Sequence, residues 1–144
     1  MVIAFEISGN KALVLEINGK PLVFEIIRPS IKFEIPEIDD SIPCLIDFQK
    51  NIEMYFQNKK PDLIVLCEGG TDSKKRRIRM EYSILIACHH SSIEYKTYPT
   101  NSASKYINTG FMKEFNINFE QYFSSFKLPK SYQRLLASAI RYLK

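Results

Sequence analysis

The chain has 144 residues, 45% of them hydrophobic, which fits one compact domain with a full core and calls for no second domain. Its longest apolar runs, such as the "LIVLC" of residues 63–67, are too short to cross a bilayer, and Met1 leads directly into a strand pattern, so we expect a soluble, cytoplasmic protein without a membrane partner. The net charge of +4 permits polyanion binding without demanding it, so the placement of the charge matters more than its sum.

Residues 2–8 and 11–17 are apolar runs flanking Gly9-Asn10, and residues 21–27 follow Asn18, Gly19 and Lys20. Both gaps carry hairpin chemistry, because Gly and Asn tolerate positive φ. In the first run Ile3, Phe5 and Ile7 alternate with Val2, Ala4 and Glu6, so both faces are largely apolar and the strand belongs in the centre of a sheet, between two layers. After Arg28-Pro29 a short alternation continues through Ile31, Phe33 and Ile35, and an acidic loop with Pro36 and Pro43 ends it.

From about 44 to 58 Phe48, Ile52, Tyr55 and Phe56 recur with the period of an amphipathic helix, which the segment Asn58 to Pro61 stops. "DLIVLCE" then reads as a buried strand. A second helix is predicted over about 74–89 from Ile78, Tyr82, Leu85 and Ile86, and a fifth strand over 92–98. Past Pro99 the pattern gives a short helix near 100–107, a turn at Thr109-Gly110, a helical stretch around Phe119, Tyr122, Phe123 and Phe126, and a final helix from Pro129 or Lys130. Helical crossovers imply parallel pairing of the later strands. Placing the fourth strand beside the first buries both apolar runs and predicts a five-stranded mixed sheet, order 3-2-1-4-5, with helices on both faces of a single α/β domain spanning 1–144.

Cys44, Cys67 and Cys88 lie far apart without a C-x-x-C spacing, so they suit a reducing compartment and small apolar fillings better than a zinc site. There is no G-x-S-x-G, G-x-G-x-x-G or G-K-[ST] sequence, which leaves hydrolase triads, dinucleotide folds and P-loop NTPases unsupported. The feature that needs an explanation is Glu6. An unpartnered carboxylate in an apolar layer is costly, so Glu6 must be paired, reach solvent, or hold a cation.

Two stretches bear on this. "VIAFEISGNKALVLEI" is a strand and hairpin with Glu6 within it, and "PDLIVLCEGG" is a strand ending in Glu68. Together they resemble the first and fourth strands of the ribonuclease-H-like superfamily, in particular its RuvC-like branch. The sequence also looks like a family of uncharacterised bacterial proteins with the same first strand and acidic fourth-strand end. The resemblance implies a ribonuclease-H-like fold, with Glu6 and Glu68 as catalytic ligands of Mg²⁺ or Mn²⁺ in phosphodiester cleavage. Such chemistry uses two divalent ions with several hard oxygen ligands. The last helix departs from the pattern: residues 127–144 contain no Asp or Glu, and Arg134 stands where an acidic ligand is expected. Arg134 would repel a divalent ion or act as the ionic partner of Glu6 and Glu68. A third ligand would then have to come from Glu81, Glu114 or Glu120.

Beside the end of the fourth strand, "TDSKKRRIRM" concentrates Lys74, Lys75, Arg76, Arg77 and Arg79. Positive charge in the first helical turn opposes the helix dipole, so phosphate binding would account for this cluster, and a solvated charged face would also account for it. His89-His90 at a helix C-terminus suit capping. The aromatic stripe Phe119, Tyr122, Phe123 and Phe126 has core spacing. Two functional readings follow. One is a nucleic-acid-directed protein, a metal-dependent phosphodiesterase with an incomplete acidic site. The other is a catalytically inactive module that keeps the fold and binds a protein partner, a second copy or nucleic acid.

Overall fold

A computed structural model describes residues 1–36, 41–70 and 73–143, with the side chains of residues 28–32 left aside. Five strands, β1 (Val2–Ser8), β2 (Lys11–Lys20), β3 (Val23–Glu34), β4 (Leu63–Glu68) and β5 (Tyr95–Pro99), form one sheet in the order β3-β2-β1-β4-β5. β1 pairs antiparallel with β2 and parallel with β4, so the sheet is mixed, as the crossovers require.

The alternation of β1 divides the core in two. Ile3, Phe5 and Ile7 join Ile64 and Leu66 of β4 beneath α1 (Ile42–Lys59) and α2 (Lys75–His90), which bring Phe48, Ile52, Phe56, Met80 and Ile84. Val2, Ala4 and Val65 project the other way, under Leu135, Leu136 and Ile140 of α6 (Gln133–Tyr142). Burying each large aliphatic or aromatic side chain contributes about 1.5–3 kcal/mol. A strand apolar on both faces is therefore held only between two helical layers, and every residue of β1 before Ser8 is buried.

The local chemistry explains most boundaries. Gly9, at φ +64°, opens the two-residue turn between β1 and β2, and Asn10 fastens it by donating to the Ile35 carbonyl at 2.7 Å. α1 begins with Pro43 in its first turn and ends where Lys60 takes a left-handed conformation before Pro61.

Several boundaries differ from expectation: β5 starts at Tyr95 and not at 92, and a 3-10 turn, Lys130–Tyr132, precedes the last helix, which starts at Gln133. β2 runs through Asn18, Gly19 and Lys20, and the hairpin turn falls at Pro21-Leu22. Pro suits the first central position of a turn whose second needs positive φ. Leu22 supplies φ +68° and packs against the α6 side of the core, contacts that offset its strain. Thr109-Gly110 is not a turn. α3 (Thr100–Lys105) passes through a π-helical stretch, Tyr106–Gly110, into α4 (Phe111–Phe115), and α5 (Phe119–Ser124) follows. Gly110 is needed there for space, since a Cβ would stand 2.9 Å from the Tyr106 ring. The aromatic stripe is core: Phe111 packs against Tyr106, Phe115, Phe119 and Tyr122, with Phe119 and Phe123 buried. No helix among the described residues is long and apolar enough to cross a membrane.

Candidate nucleic-acid interface

Glu6 stands at the carboxyl end of β1, in step with Val2 and Ala4 and therefore on the α6 face of the sheet. It is 2% exposed. Its partner is Arg134, in the first turn of α6: Nε donates to Oε1 at 2.7 Å and Nη2 to Oε2 at 3.2 Å. This is a two-point, charge-assisted pair, the strongest geometry open to an arginine and a carboxylate. Hydrogen bonding to Glu6 holds the Arg134 guanidinium pKa above its ordinary value. In the β1–β4 register Glu6 faces Cys67, whose thiol is pushed up to about 12, first by burial and then by the charge of Glu6. Ser138, one turn along α6, donates to the Arg134 carbonyl.

Glu6, Ile7, Ser8 and Gly9 form one wall of a hollow of about 420 Å³, and Ser73, Lys74, Arg76, Arg77 and Arg134 form the rest. Arg77 is fixed by Glu81, which accepts from its Nε at 3.2 Å and from the Gly69 N–H at 2.9 Å. Gly69 makes this possible, because a Cβ there would lie 2.4 Å from Arg77 Nε and equally close to Ser73 Oγ. Arg79 and Lys75 of the same cluster are exposed and do not line the hollow.

No family model matches the chain, and no curated protein matches it in sequence. Solved structures do. RuvC of Thermus thermophilus in complex with a Holliday junction substrate superposes with a TM-score of 0.71 at 8% identity, covering 96% of this chain and 89% of that one. Thermus thermophilus RuvC in a second structure gives 0.67 at 10% identity over 96% and 90%. The Fowlpox virus resolvase, in complex with Holliday junction DNA, gives 0.57 at 11% identity over 99% and 98%. The chain has a RuvC-like, ribonuclease-H-like fold.

Within that RuvC-like sheet β1 and β4 are neighbours, but their acidic residues diverge. Glu68 is in step with Ile64 and Leu66, on the face of α1 and α2, and lines a separate hollow of about 190 Å³ with Gly70, Ile78, Glu81 and Tyr82. Glu6 has Arg134 on both oxygens. Glu114 accepts from the Tyr106 hydroxyl, and Glu120 lies beside Phe123 and Lys130. Among the described residues no three Asp, Glu, His or Cys side chains converge as metal ligands. As arranged, the donor set does not fit a pair of divalent ions shared by Glu6 and Glu68.

His90 approaches Glu53 of α1 at 2.7 Å, joining the two helices, while backbone groups cap the end of α2. The sequence pattern did not single out Ser8, Ser73 or Lys130. The one available signal was proximity: Ser8 and Ser73 adjoin the strand-one hairpin and the basic cluster.

Proposed function

We propose that this protein binds structured nucleic acid in the basic hollow at the carboxyl ends of β1 and β4, and that the Glu6–Arg134 pair suits this site to binding. The observation that carries the reading is the Arg134 fork on Glu6. It neutralises Glu6, the one carboxylate among the described residues that line the hollow, and Lys74 and Arg76 add positive charge beside it while Arg77 is paired with Glu81. Cations on a concave surface suit phosphate oxygens, and ligands of open α/β sheets commonly sit at the carboxyl ends of the strands.

Four-way DNA junctions are the first substrate to try, since two of the RuvC-like neighbours are described with Holliday junctions. Binding of a fluorescent junction, measured by anisotropy over a range of salt, should weaken steeply as salt rises, as it does when phosphate contacts release counterions. Replacing Lys74 and Arg76 by Ala should weaken it and flatten the slope by about two units. Salt-independent binding, or none, would overturn the proposal.

The cleavage reading keeps Glu6 and Glu68 as ligands of Mg²⁺ or Mn²⁺, and its support is the RuvC-like fold together with the exposed Glu68 at the end of β4. It requires Arg134 to leave Glu6 and also Glu68 to turn from the α1–α2 face to the face of Glu6. Cutting of junctions or RNA–DNA hybrids in Mg²⁺ or Mn²⁺ that is lost in both Glu6→Gln and Glu68→Gln would establish it. No cutting by the wild type, together with intact binding, leaves the binding module.

A further inference from the structure

The basic hollow does not end at Arg134. The same side chain lines a second hollow of about 340 Å³ with Lys130, Ser131 and Gln133, so the two are adjoining rooms with one arginine between them. We propose that Arg134 contacts a nucleic-acid phosphate at this saddle, held in position by Glu6, and that the bound strand continues past it to Lys130, Ser131 and Gln133. This rests on the nucleic-acid reading of the basic hollow and extends it by a path and four contact residues.

The pair is asymmetric in a way that favours this role. The Glu6 side chain is 3% exposed and that of Arg134 is 45%, so the anion is buried and the cation faces outward. A guanidinium carries five N–H donors, and Glu6 engages Nε and one edge of Nη2. The outer edge retains donors for a phosphate, whose oxygens match the planar fork. A free arginine gives up rotamer freedom when immobilised. Glu6 has already fixed the group, so less of that cost falls on binding.

The second hollow has suitable chemistry and a defined end. Lys130 and Ser131 are exposed, and Gln133 begins α6, whose first turn contains no acidic residue. Lys130 and Gln133 also border a third hollow where Glu120 faces Phe123, Ser124 and Leu128. That carboxylate repels phosphate, so the path stops at Lys130.

The test uses the full chain and the same fluorescent four-way junction. Lys130→Ala should lower affinity about three- to tenfold and reduce the salt slope by about one unit, as the loss of one phosphate contact does. Arg134→Lys keeps the charge and loses the fork, so affinity should fall while the slope stays. Glu6→Gln separates positioning from charge: it removes a negative charge from the hollow, yet affinity should fall because Arg134 loses one arm of its fork and the charge that holds it in place. Tighter binding by Glu6→Gln overturns the positioning role. Wild-type affinity and slope in both Lys130→Ala and Arg134→Lys, with binding lost in the variant with Lys74 and Arg76 replaced by Ala, overturns the extended path and leaves the basic hollow standing. No junction binding by the wild type overturns both. Lys130 is exposed, so its variant reports even if the Arg134 variants do not fold.

Discussion

Cys67 shows how one residue of the site is constrained by its neighbours. It is fully buried opposite Glu6, and burial together with that carboxylate makes its thiolate costly. Cys88, on the other side of the sheet, is likewise pushed up to about 12 by burial alone. Both thiols are neutral in the folded state at pH values where an unfolded thiol, near 9.0, already ionises. A folded pKa above the unfolded one contributes stability that is complete below about 9 and is lost as pH rises towards 12. Urea midpoints should therefore fall between pH 9 and 11, and less steeply in Cys67→Ser/Cys88→Ser. At pH 8 a thiol reagent should modify Cys44, which is half-buried, well before the other two, and all three after unfolding. Fast modification of Cys67 in the folded protein would contradict its burial.

At the scale of elements, β2 and α1 meet through a second buried carboxylate. The β2–β3 ladder shifts register on either side of Glu16, which is wholly buried. The Tyr55 hydroxyl donates to its Oε2, and the Lys59 ammonium approaches Oε1 at 3.7 Å, an oxygen with no hydrogen bond among the described residues. Taking away the cation leaves a buried charge less compensated, so Lys59→Met should cost about 1–3 kcal/mol in urea unfolding at pH 7. Glu16→Gln should cost less, because its amide oxygen still accepts from Tyr55 while the charge is gone. Adding Lys59→Met to Glu16→Gln should then change little, and a full additive loss would show that Lys59 acts through packing.

The same elements show what the amino-acid pattern conveys. Period-two and period-3.6 repeats place β1, β4, α1 and α2 to within a few residues, and the two hairpin gaps, the helical crossovers and the apolar runs of β1 and β4 together order the sheet. The face on which Glu68 projects was not legible. Neighbouring strands can slide by one residue with the same composition, and a one-residue shift exchanges the faces. Glu6 stands opposite Cys67, so Glu68 belongs to the other side. Thr109-Gly110 misled for a related reason, since glycine marks turns and also close helix contacts, and only the Tyr106 ring decides which applies. Arg134 was readable as an ionic partner, but that it engages Glu6 by a two-point fork depends on the docking of α6.

Over the whole molecule, the sheet separates an α1–α2 core from an α6 core, and β1 and β4 contribute to both. Ile52 and Leu136 are fully buried, one in each core. Truncating either to Ala removes contacts that the close-packed surroundings recover only in part, at about 2–5 kcal/mol. The shared strands predict how that loss is distributed. If the chain unfolds as one domain, Ile52→Ala and Leu136→Ala should each move a single urea transition, with far-UV and near-UV circular dichroism coinciding. The near-UV signal has a part from each core, because the chain has no Trp, Tyr106, Phe111, Phe119 and Tyr122 lie on the α6 side, and Phe5, Tyr55 and Phe56 lie on the α1 side. A Leu136→Ala protein that lost part of its near-UV signal at lower urea than its far-UV signal, and the rest with it, would show that the α6 layer can detach from the sheet. Detachment would also separate Arg134 from Glu6, so junction binding should then fail at the first transition.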